Sequence, residues 1–285
     1  MKKRTASPTN LDRAFTSDVH RFDKNIYQTE KGQIREAVLA ADLRFLLTDV
    51  GSDKNGEPTL PVEKQSSRSH PASVEPSCLD VGAGLGQLNT YFARAGYRVT
   101  HTDIAEEMIA AAKDRHSAQD LEHHYTYHQV GLQELASKLG EQQFDVVLCH
   151  AVLEWLADPF AALAVLQARV KPGGWLSIMF YNNDAKRMAN ILYGNFDYVN
   201  AGLKVKKKVR FSPNYPLQPQ QVLARLGQYP LTLISHSGVR CFHDYMRAKE
   251  YSAEELLALE LTYRQQSPYR ELGRYQHLLL RKDNK

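Results

Sequence analysis

The sequence lacks a long hydrophobic run: no apolar stretch approaches the roughly 18 residues that a membrane-spanning helix requires. The basic N-terminus, MKKRTASPTNLDR, is not followed by the apolar segment of a secretory signal. Cysteine is also scarce, and the three widely spaced residues do not suit a disulfide framework: Cys78, Cys149 and Cys241. These absences argue against secretion and membrane insertion, so we expect a cytoplasmic protein with reduced thiols in its core.

The sequence also has little net charge and no internal repeat. Its 285 residues carry a formal charge of +4, which alone is a weak indication of a nucleic-acid partner. With 43% hydrophobic and 24% charged residues, it is typical of a globular chain that forms one α/β domain with a modest appendage. Five positive charges nevertheless fall within seven residues: Lys204, Lys206, Lys207, Lys208 and Arg210. This run is a candidate for phosphate contacts, although a solvated loop explains it equally well.

The chain before residue 77 divides into two parts. Apolar residues at helical spacing predict an amphipathic helix over residues 32–49, and we assign residues 1–50 to an N-terminal helical lid. Residues 51–76 are polar and rich in Pro, Ser and charge, which predicts a flexible surface insertion. The remaining core spans residues 77–285, with a basic substrate-binding insertion around residues 194–220.

From residue 77 onward, short β-like runs alternate with helical ones. This alternation predicts an α/β fold of the Rossmann-like kind, with a mostly parallel sheet and helices on both faces. Residues 171–174 (KPGG) are predicted to end a helix and connect it to the fifth strand. Seven strands are predicted, at residues 77–82, 97–103, 123–130, 144–152, 175–182, 231–242 and 275–282.

A glycine-rich turn, LDVGAGLG at residues 79–86, follows the first predicted strand. Such a turn lets the backbone approach a ligand over the carboxyl end of the strand. Dinucleotide sites favour G-x-G-x-x-G, in which the third glycine opens a helix onto a pyrophosphate, whereas here that position is Gln87. The spacing therefore favours S-adenosylmethionine (SAM), which has no pyrophosphate, over a nicotinamide cofactor.

Two further strand ends provide candidate ligand contacts. Asp103 closes the second strand, 17 residues beyond Gly86, where its carboxylate could accept hydrogen bonds from both ribose hydroxyls. Leu132 and Gln133 follow the third strand at the level of an adenine ring. His150 ends the fourth strand, although a histidine there is more often structural.

A metal site is not expected in this sequence. Three histidines lie close together at His123, His124 and His128, but two of them are consecutive on a predicted strand. No cysteine or aspartate completes the set, so we reject a metal centre.

These segments together resemble the class I SAM-dependent methyltransferases, and more closely the tRNA 5-carboxymethoxyuridine methyltransferases. The resemblance covers nearly the whole chain apart from the insertion, with Ala83 replacing a glycine that is frequent in that family. It runs through NIYQTEKGQIREAV, LDVGAGLGQ, FDVVLCHAVLEWLADP, VKPGGWLSIMFYN, GNFDYV, LKVKKKVRFSPNYP, GVRCFHDY and SPYRELGRYQH. It implies that SAM is the cofactor and that Arg35 pairs with the carboxylate of its methionine part. The cofactor-binding residues would be Arg35, Gly82, Ala83, Gly84, Asp103, Leu132, Gln133 and His150.

The resemblance further implies esterification of a carboxylate on the wobble uridine, with the tRNA anticodon stem-loop as partner. A carboxylate with a pKa of about 4 is ionised at neutral pH, so we expect no catalytic general base. Proximity and orientation then provide the rate enhancement. Residues that could bind the acceptor are Tyr181, Asn182, Tyr198, Arg240 and His243, with Lys206, Lys207, Lys208 and Arg210 on the RNA backbone.

Three alternatives remain open from the sequence. A SAM enzyme acting on a small molecule would share the whole cofactor half. A nicotinamide-dependent oxidoreductase is disfavoured by Gln87. A catalytically silent RNA-binding partner could retain the fold.

Overall fold

A computed structural model describes residues 24, 28–47, 75–203, 215–248 and 250–284. These form one seven-stranded sheet in the order β3-β2-β1-β4-β5-β7-β6. The first five strands are parallel to one another, and β7 runs antiparallel to both β5 and β6. The strands are β1 (Ser77–Val81), β2 (Arg98–Asp103), β3 (Tyr125–Gln129), β4 (Phe144–His150), β5 (Val170–Tyr181), β6 (Leu231–Val239) and β7 (Tyr275–Lys282). The predicted fold class is confirmed.

The helices lie between the strands as the alternating pattern predicts, and several begin at capping residues. Asp158 accepts hydrogen bonds from the amides of Phe160 and Ala161, at 3.1 and 2.9 Å, with Pro159 in the first turn. The described helices are α1 (Glu30–Leu47), α2 (Asn89–Arg94), α3 (Glu106–Ser117), α4 (Leu135–Leu139), α5 (Pro159–Ala168), α6 (Asn183–Leu192), α7 (Phe196–Asn200), α8 (Pro219–Leu226), α9 (Ala253–Tyr263) and α10 (Tyr269–Leu272).

Helices cover both faces of the sheet, because successive residues of each parallel strand point to opposite sides. Leu79 packs in a core cluster with Leu163 and Leu166 of α5. Its neighbour Cys78 packs in a second cluster with Phe92 of α2. All three cysteines are free and buried, as expected from the sequence.

Helix α1 is built into the core through its apolar stripe. Ile34 and Val38 are almost completely buried in a cluster with Met179 of β5, Val239 of β6 and Leu256 of α9. A helix fixed in this way holds its remaining side chains over the carboxyl edge of the central strands. Its action as a separate lid domain stays a prediction.

Two local predictions are wrong. Residues 171–174 lie within β5, where the register against β4 shifts between Phe144 and Val146, rather than in a connection before the strand. A β-bulge can absorb such glycines without ending the strand. His123 and His124 belong to a single 3₁₀ turn before β3, not to the strand itself.

Two predicted segments lie outside the described residues: most of the 51–76 insertion, and residues 204–214, which contain the basic run. Within the described ranges, no helix is long and apolar enough to cross a membrane. The same ranges contain no group of three His, Cys, Asp or Glu residues placed to hold a metal ion.

Candidate active site

The glycine turn lies at the topological switch point, where β1 pairs with β2 on one side and with β4 on the other. Gly82, Gly84 and Gly86 all have positive φ, at 66°, 56° and 72°. A Cβ added at Gly82 would overlap the side chain of Val152. The turn therefore requires glycine, and it opens the crevice above the strand ends to a ligand.

Asp103 closes β2 and holds the same turn in place. Its Oδ2 accepts a hydrogen bond from the amide of Gly84 at 2.9 Å, and its Oδ1 accepts one from Ala105 at 2.9 Å. Burial raises its pKa, while these amide hydrogen bonds oppose the rise. Each carboxylate oxygen retains a second lone pair, so the geometry is compatible with ribose hydroxyls as further donors.

A pocket lies directly over the glycine turn. Its lining includes three residues predicted for the cofactor, Gly82, Ala83 and His150, together with residues that the sequence did not indicate. Among the latter is Gln87, whose amide nitrogen and oxygen are both buried and have no hydrogen-bond partner among the described residues. Buried amides are normally paired, so this one fits a polar ligand group such as the amino or carboxylate group of a methionine. Glu36, Leu39, Asp80, Gln87 and Leu88 complete the lining.

Asp80, at the base of this pocket, is a buried carboxyl group with an unusual pKa. It accepts a hydrogen bond from Nδ2 of Asn89 at 2.9 Å. Burial raises its pKa to about 7 in spite of that bond, with a further contribution from the charge of Asp103. Near neutral pH this carboxyl group is therefore poised between its two protonation states.

His150 begins a buried polar chain that crosses the sheet to α1. Its Nε2 is hydrogen-bonded to Oγ of Ser177 at 2.8 Å, and that oxygen is 2.8 Å from Nε2 of His277. The other ring nitrogen of His277, Nδ1, is 2.8 Å from Oδ2 of Asp42. The second carboxylate oxygen of Asp42, Oδ1, accepts a hydrogen bond from Arg264. Burial lowers the pKa of His150 well below its usual value, so its imidazole is neutral. His150 thus combines a structural role with a place in the pocket.

Arg35 projects from α1 toward the same edge of the sheet. Burial is the main cause of the pKa shifts of its neighbours His150, Glu154 and Tyr275, but the positive charge of Arg35 acts on all three. The structure therefore brings Arg35 and His150 together beside the glycine turn. Leu132 is buried in the core beyond β3, and the side chain of the following Gln133 is exposed.

Glu154 is a feature of this site that sequence reasoning missed. It lies in a 3₁₀ turn after β4, is fully buried, and neither of its carboxyl oxygens has a hydrogen-bond partner among the described residues. Burial raises its pKa to about 7, against the opposing charge of Arg35. A glutamate in the sequence HAVLEW carries no local signal of burial. Its burial follows from tertiary packing: the 3₁₀ turn contacts β5, and the amide of Tyr215 donates to the carbonyl of Glu154.

Three of the predicted acceptor-binding residues lie on the far side of this crevice, at the ends of β5 and β6. The guanidinium of Arg240 makes a bidentate ion pair with Asp244, at 2.7 and 3.0 Å. His243 lies 3.7 Å from Glu30 and 3.9 Å from Asp244. Burial raises the pKa of Tyr181 to about 12, so its hydroxyl stays protonated and can donate.

Asn182 and Tyr198 are placed differently from those three. Asn182 is fully buried: its side-chain oxygen caps α6 at Asp184, and its Nδ2 donates to the carbonyls of Glu271 and Gly273. Its contacts thus hold the chain before β7. Tyr198 lies on α7, with Nζ of Lys186 5.7 Å from its ring centroid. Their direct contact with an acceptor stays a prediction, and Lys206, Lys207, Lys208 and Arg210 lie outside the described residues.

Comparison with known proteins places this site in context. A family profile described as "Methyltransferase domain" matches residues 79–178. The tRNA 5-carboxymethoxyuridine methyltransferase of Escherichia coli (strain K12) is 40% identical over 274 residues, covering 95% of this chain and 97% of that protein. A ubiquinone biosynthesis O-methyltransferase from Hydrogenovibrio crunogenus is 30% identical over 161 residues, 56% of this chain and 64% of that protein. The crystal structure of magnesium protoporphyrin IX methyltransferase from Synechocystis PCC 6803, with bound SAH, aligns with a TM-score of 0.60 at 15% identity, over 96% and 98% of the two chains.

The relative that is 40% identical over 95% of this chain is a methyltransferase, and the methyltransferase profile covers the strands that carry the glycine turn, so the protein is a class I SAM-dependent methyltransferase. The nicotinamide alternative is thereby rejected. Sequence identity of 40% over almost the full length of this chain also identifies the more specific family. The chain belongs to the family of tRNA 5-carboxymethoxyuridine methyltransferases.

Proposed function

We propose that this enzyme transfers the methyl group of SAM to the carboxylate of 5-carboxymethoxyuridine at the wobble position of tRNA, giving the methyl ester. The observation that carries this proposal is the identity of 40% to a protein of that name, over 95% of the chain. The alignment includes the acceptor side of the crevice as well as the cofactor half, which many methyltransferases share. A tRNA acceptor also implies that the enzyme works in the cytoplasm.

The cofactor half fits SAM through residues of this chain. Asp103 would accept from the ribose, Arg35 would pair with the methionine carboxylate, and the unpartnered amide of Gln87 would meet the polar end of the same group. Gly82, Ala83 and Gly84 supply a backbone surface without bulky side chains. These contacts fix the donor in one orientation, which is the main requirement of an in-line displacement.

Bound SAM supplies an activated methyl group: a carboxylate oxygen forms the new bond to the methyl carbon while the carbon–sulfur bond breaks and the sulfur keeps the electron pair. No proton is transferred in this step, so a general base is not needed. The residues around the site agree with that requirement. His150 is neutral and already hydrogen-bonded to Ser177, and the hydroxyl of Tyr181 stays protonated. Both are suited to orienting partners and not to removing protons.

Exposed aromatic residues near the site support an RNA acceptor. Tyr193 and Phe196, at the junction of α6 and α7, are 71% and 60% exposed. Large exposed rings are costly in water, and unstacked bases of an RNA loop are commonly held against such rings. The basic run begins at residue 204, soon after α7 in the chain, and would supply phosphate contacts beside them.

Nucleoside mass spectrometry of tRNA tests the proposal directly. Deleting the gene should remove the methyl ester of 5-carboxymethoxyuridine and leave the free acid in its place, and restoring the gene should restore the ester. Purified enzyme should then convert the accumulated acid with labelled SAM. Persistence of the ester in the deletion strain, together with no transfer in vitro, would refute the proposed substrate and favour a small-molecule acceptor.

A further inference from the structure

Arg274 lies where β5 and β7 meet at the carboxyl edge of the sheet. Tyr181 ends β5 and pairs with Tyr275, which begins β7, with ring centroids 5.6 Å apart. The carbonyl of Arg274 accepts from the amide of Asn182, and its own amide donates to the carbonyl of Arg240, both at 3.1 Å. The backbone of Arg274 is therefore fixed on both sides, which limits where its side chain can reach.

The guanidinium of Arg274 forms no ion pair with a carboxylate of the described residues. It is partly buried and lies over the ring of Tyr181, 4.8 Å from the centroid. No carboxylate lies within ion-pair distance of it among the described residues, and no hydrogen bond from its side chain is found there. Its neighbours differ in this respect, since Arg240 pairs with Asp244 and Arg270 pairs with Glu271. Desolvating a cation without a partner is unfavourable, so the position favours an anionic ligand.

The placement of Arg274 connects it with the cofactor side of the crevice. Burial is the main cause of the raised pKa of Tyr275, and the positive charges of Arg35 and Arg274 both act against it. Tyr275 therefore lies near three cations. Arg240 lies 5.5 Å from the centroid of its ring and is already paired with Asp244. Arg35 is expected to bind the methionine carboxylate, which leaves Arg274 as the cation without an assigned ligand.

We infer that Arg274 binds the carboxylate of the methyl acceptor, an inference that rests on the proposed function. The ring of Tyr181 supports one face of the planar guanidinium, and its edge is left to hydrogen-bond one carboxylate oxygen. The second oxygen keeps its electron density for attack on the methyl group. Arg240 does not fulfil this role, because two nitrogens of its guanidinium already donate to the carboxylate of Asp244. Methylation removes the negative charge, so the ester product loses the ion pair and dissociates.

Substitution of Arg274 tests this role with a matched control on the same strand. Arg274→Gln should lower kcat/KM for tRNA carrying 5-carboxymethoxyuridine roughly 100-fold, as expected when one partner of a desolvated charge pair is removed. SAM affinity by calorimetry, tRNA affinity and the melting temperature should stay near wild-type values. Arg281 also stacks on a ring, Trp175 at 5.5 Å, but lies toward the other end of β7, so Arg281→Gln should retain activity. Guanidinium ion in the buffer should restore part of the activity of Arg274→Ala.

A second measurement separates failure of this inference from failure of the proposed function. Saturation-transfer NMR on SAH-loaded wild-type enzyme should show that the free nucleoside 5-carboxymethoxyuridine binds more strongly than its methyl ester. The Arg274→Gln variant should bind the acid no more strongly than the ester. Wild-type activity on the tRNA that is undiminished in Arg274→Gln would overturn the role of Arg274 alone. Arg274-dependent binding of the nucleoside without any transfer to tRNA would overturn the tRNA substrate alone. Absence of both signals in wild-type enzyme would overturn both proposals.

Discussion

At the residue scale, burial and local partners set very different pKa values for similar carboxyl groups. Asp42 is buried but accepts hydrogen bonds from Arg264 and His277, which hold its pKa at about 2. Asp80 and Glu154 are equally buried with fewer donors, and burial raises both pKa values to about 7. Hydrogen-bond donors, more than depth in the protein, decide which carboxylates stay charged.

Asp103→Ala should weaken SAM binding by roughly 100-fold or more, because it removes the expected ribose acceptor and also the acceptor that fixes Gly84 and Ala105. Isothermal calorimetry measures the affinity, and circular dichroism checks that the variant is folded. Asp114→Ala, at an exposed position on α3, is the control. Unchanged affinity in Asp103→Ala would rule out the assigned role.

Glu154→Gln should change the pH dependence of stability. Between the ordinary pKa of 4.5 and the folded value of about 7, the folded protein holds a proton that the unfolded chain has lost. Wild-type stability therefore falls by about 3 kcal/mol across that window because of this group, and the glutamine variant does not share the loss. Urea denaturation at pH 5 and pH 8 should show that the unfolding free energy of the variant, relative to that of wild type, is larger at pH 8. Glu141→Gln, at an exposed site, should show no such gain, and a flat difference for Glu154→Gln would contradict the prediction.

At the element scale, α1 depends on one buried carboxylate for its polar attachment to the sheet. Asp42 joins α1 to β7 through His277 and to α9 through Arg264. The same helix contributes Glu36 and Leu39 to the pocket lining, and the charge of its Arg35 acts on His150. If this attachment is lost, α1 should shift and displace the residues that it contributes to the pocket.

Asp42→Asn should destabilise the protein by about 3 to 5 kcal/mol at pH 7, the usual cost of removing one partner of a buried charged network. The folded pKa of about 2 lies below the ordinary 3.8, so the stabilisation is complete above pH 4 and is lost as the pH falls toward 2. Urea denaturation at pH 7 and pH 3 should show that the difference in unfolding free energy between wild type and variant is smaller at pH 3. An equal difference at both pH values would show that the charge of Asp42 is unimportant.

The element pattern was the most predictable part of the structure from sequence, because strand and helix periodicities are local properties. Each of the seven predicted strands has a counterpart in the structure, with β3 beginning two residues later and β5 five residues earlier than predicted, and the glycine turn lies where the sequence places it. The residues that were missed acquire their role through tertiary contacts. Gln87 follows the glycine turn, but the motif does not indicate that its amide lines the pocket. Glu154 and Arg274 carry no distinctive local pattern, and only tertiary packing and the pairing of β5 with β7 reveal them. Lys171–Gly174 were misplaced since a glycine pair can sit in a bulged strand as well as in a turn.

At the scale of the whole molecule, a formal charge of +4 is too small to attract RNA by itself, so the distribution of charge decides the outcome. The cations of residues 204–210 lie beside the exposed rings of α6 and α7 in the chain. Under the proposed function, we expect these cations to contact the phosphate backbone of the tRNA without reading its sequence.

The affinity for tRNA should therefore fall steeply with salt. Replacing Lys206, Lys207 and Lys208 by Gln should reduce the slope of log Kd against log salt by about 2, at roughly 0.7 per phosphate contact. Fluorescence anisotropy over a range of salt concentrations measures the slope. Lys113→Gln with Lys138→Gln, both exposed on α3 and α4, is the control and should leave it unchanged. A substrate affinity that is insensitive to salt would favour a small-molecule acceptor.

The hydrogen-bonded chain from His150 to Asp42 has a consequence for synthesis on the ribosome. It joins the first described helix to the last strand, so Asp42 can bond to His277 only after β7 has emerged from the exit tunnel. Because α1 also contributes Glu36 and Leu39 to the pocket lining, we expect the pocket of a nascent chain to reach its final geometry only after β7 has paired with β5.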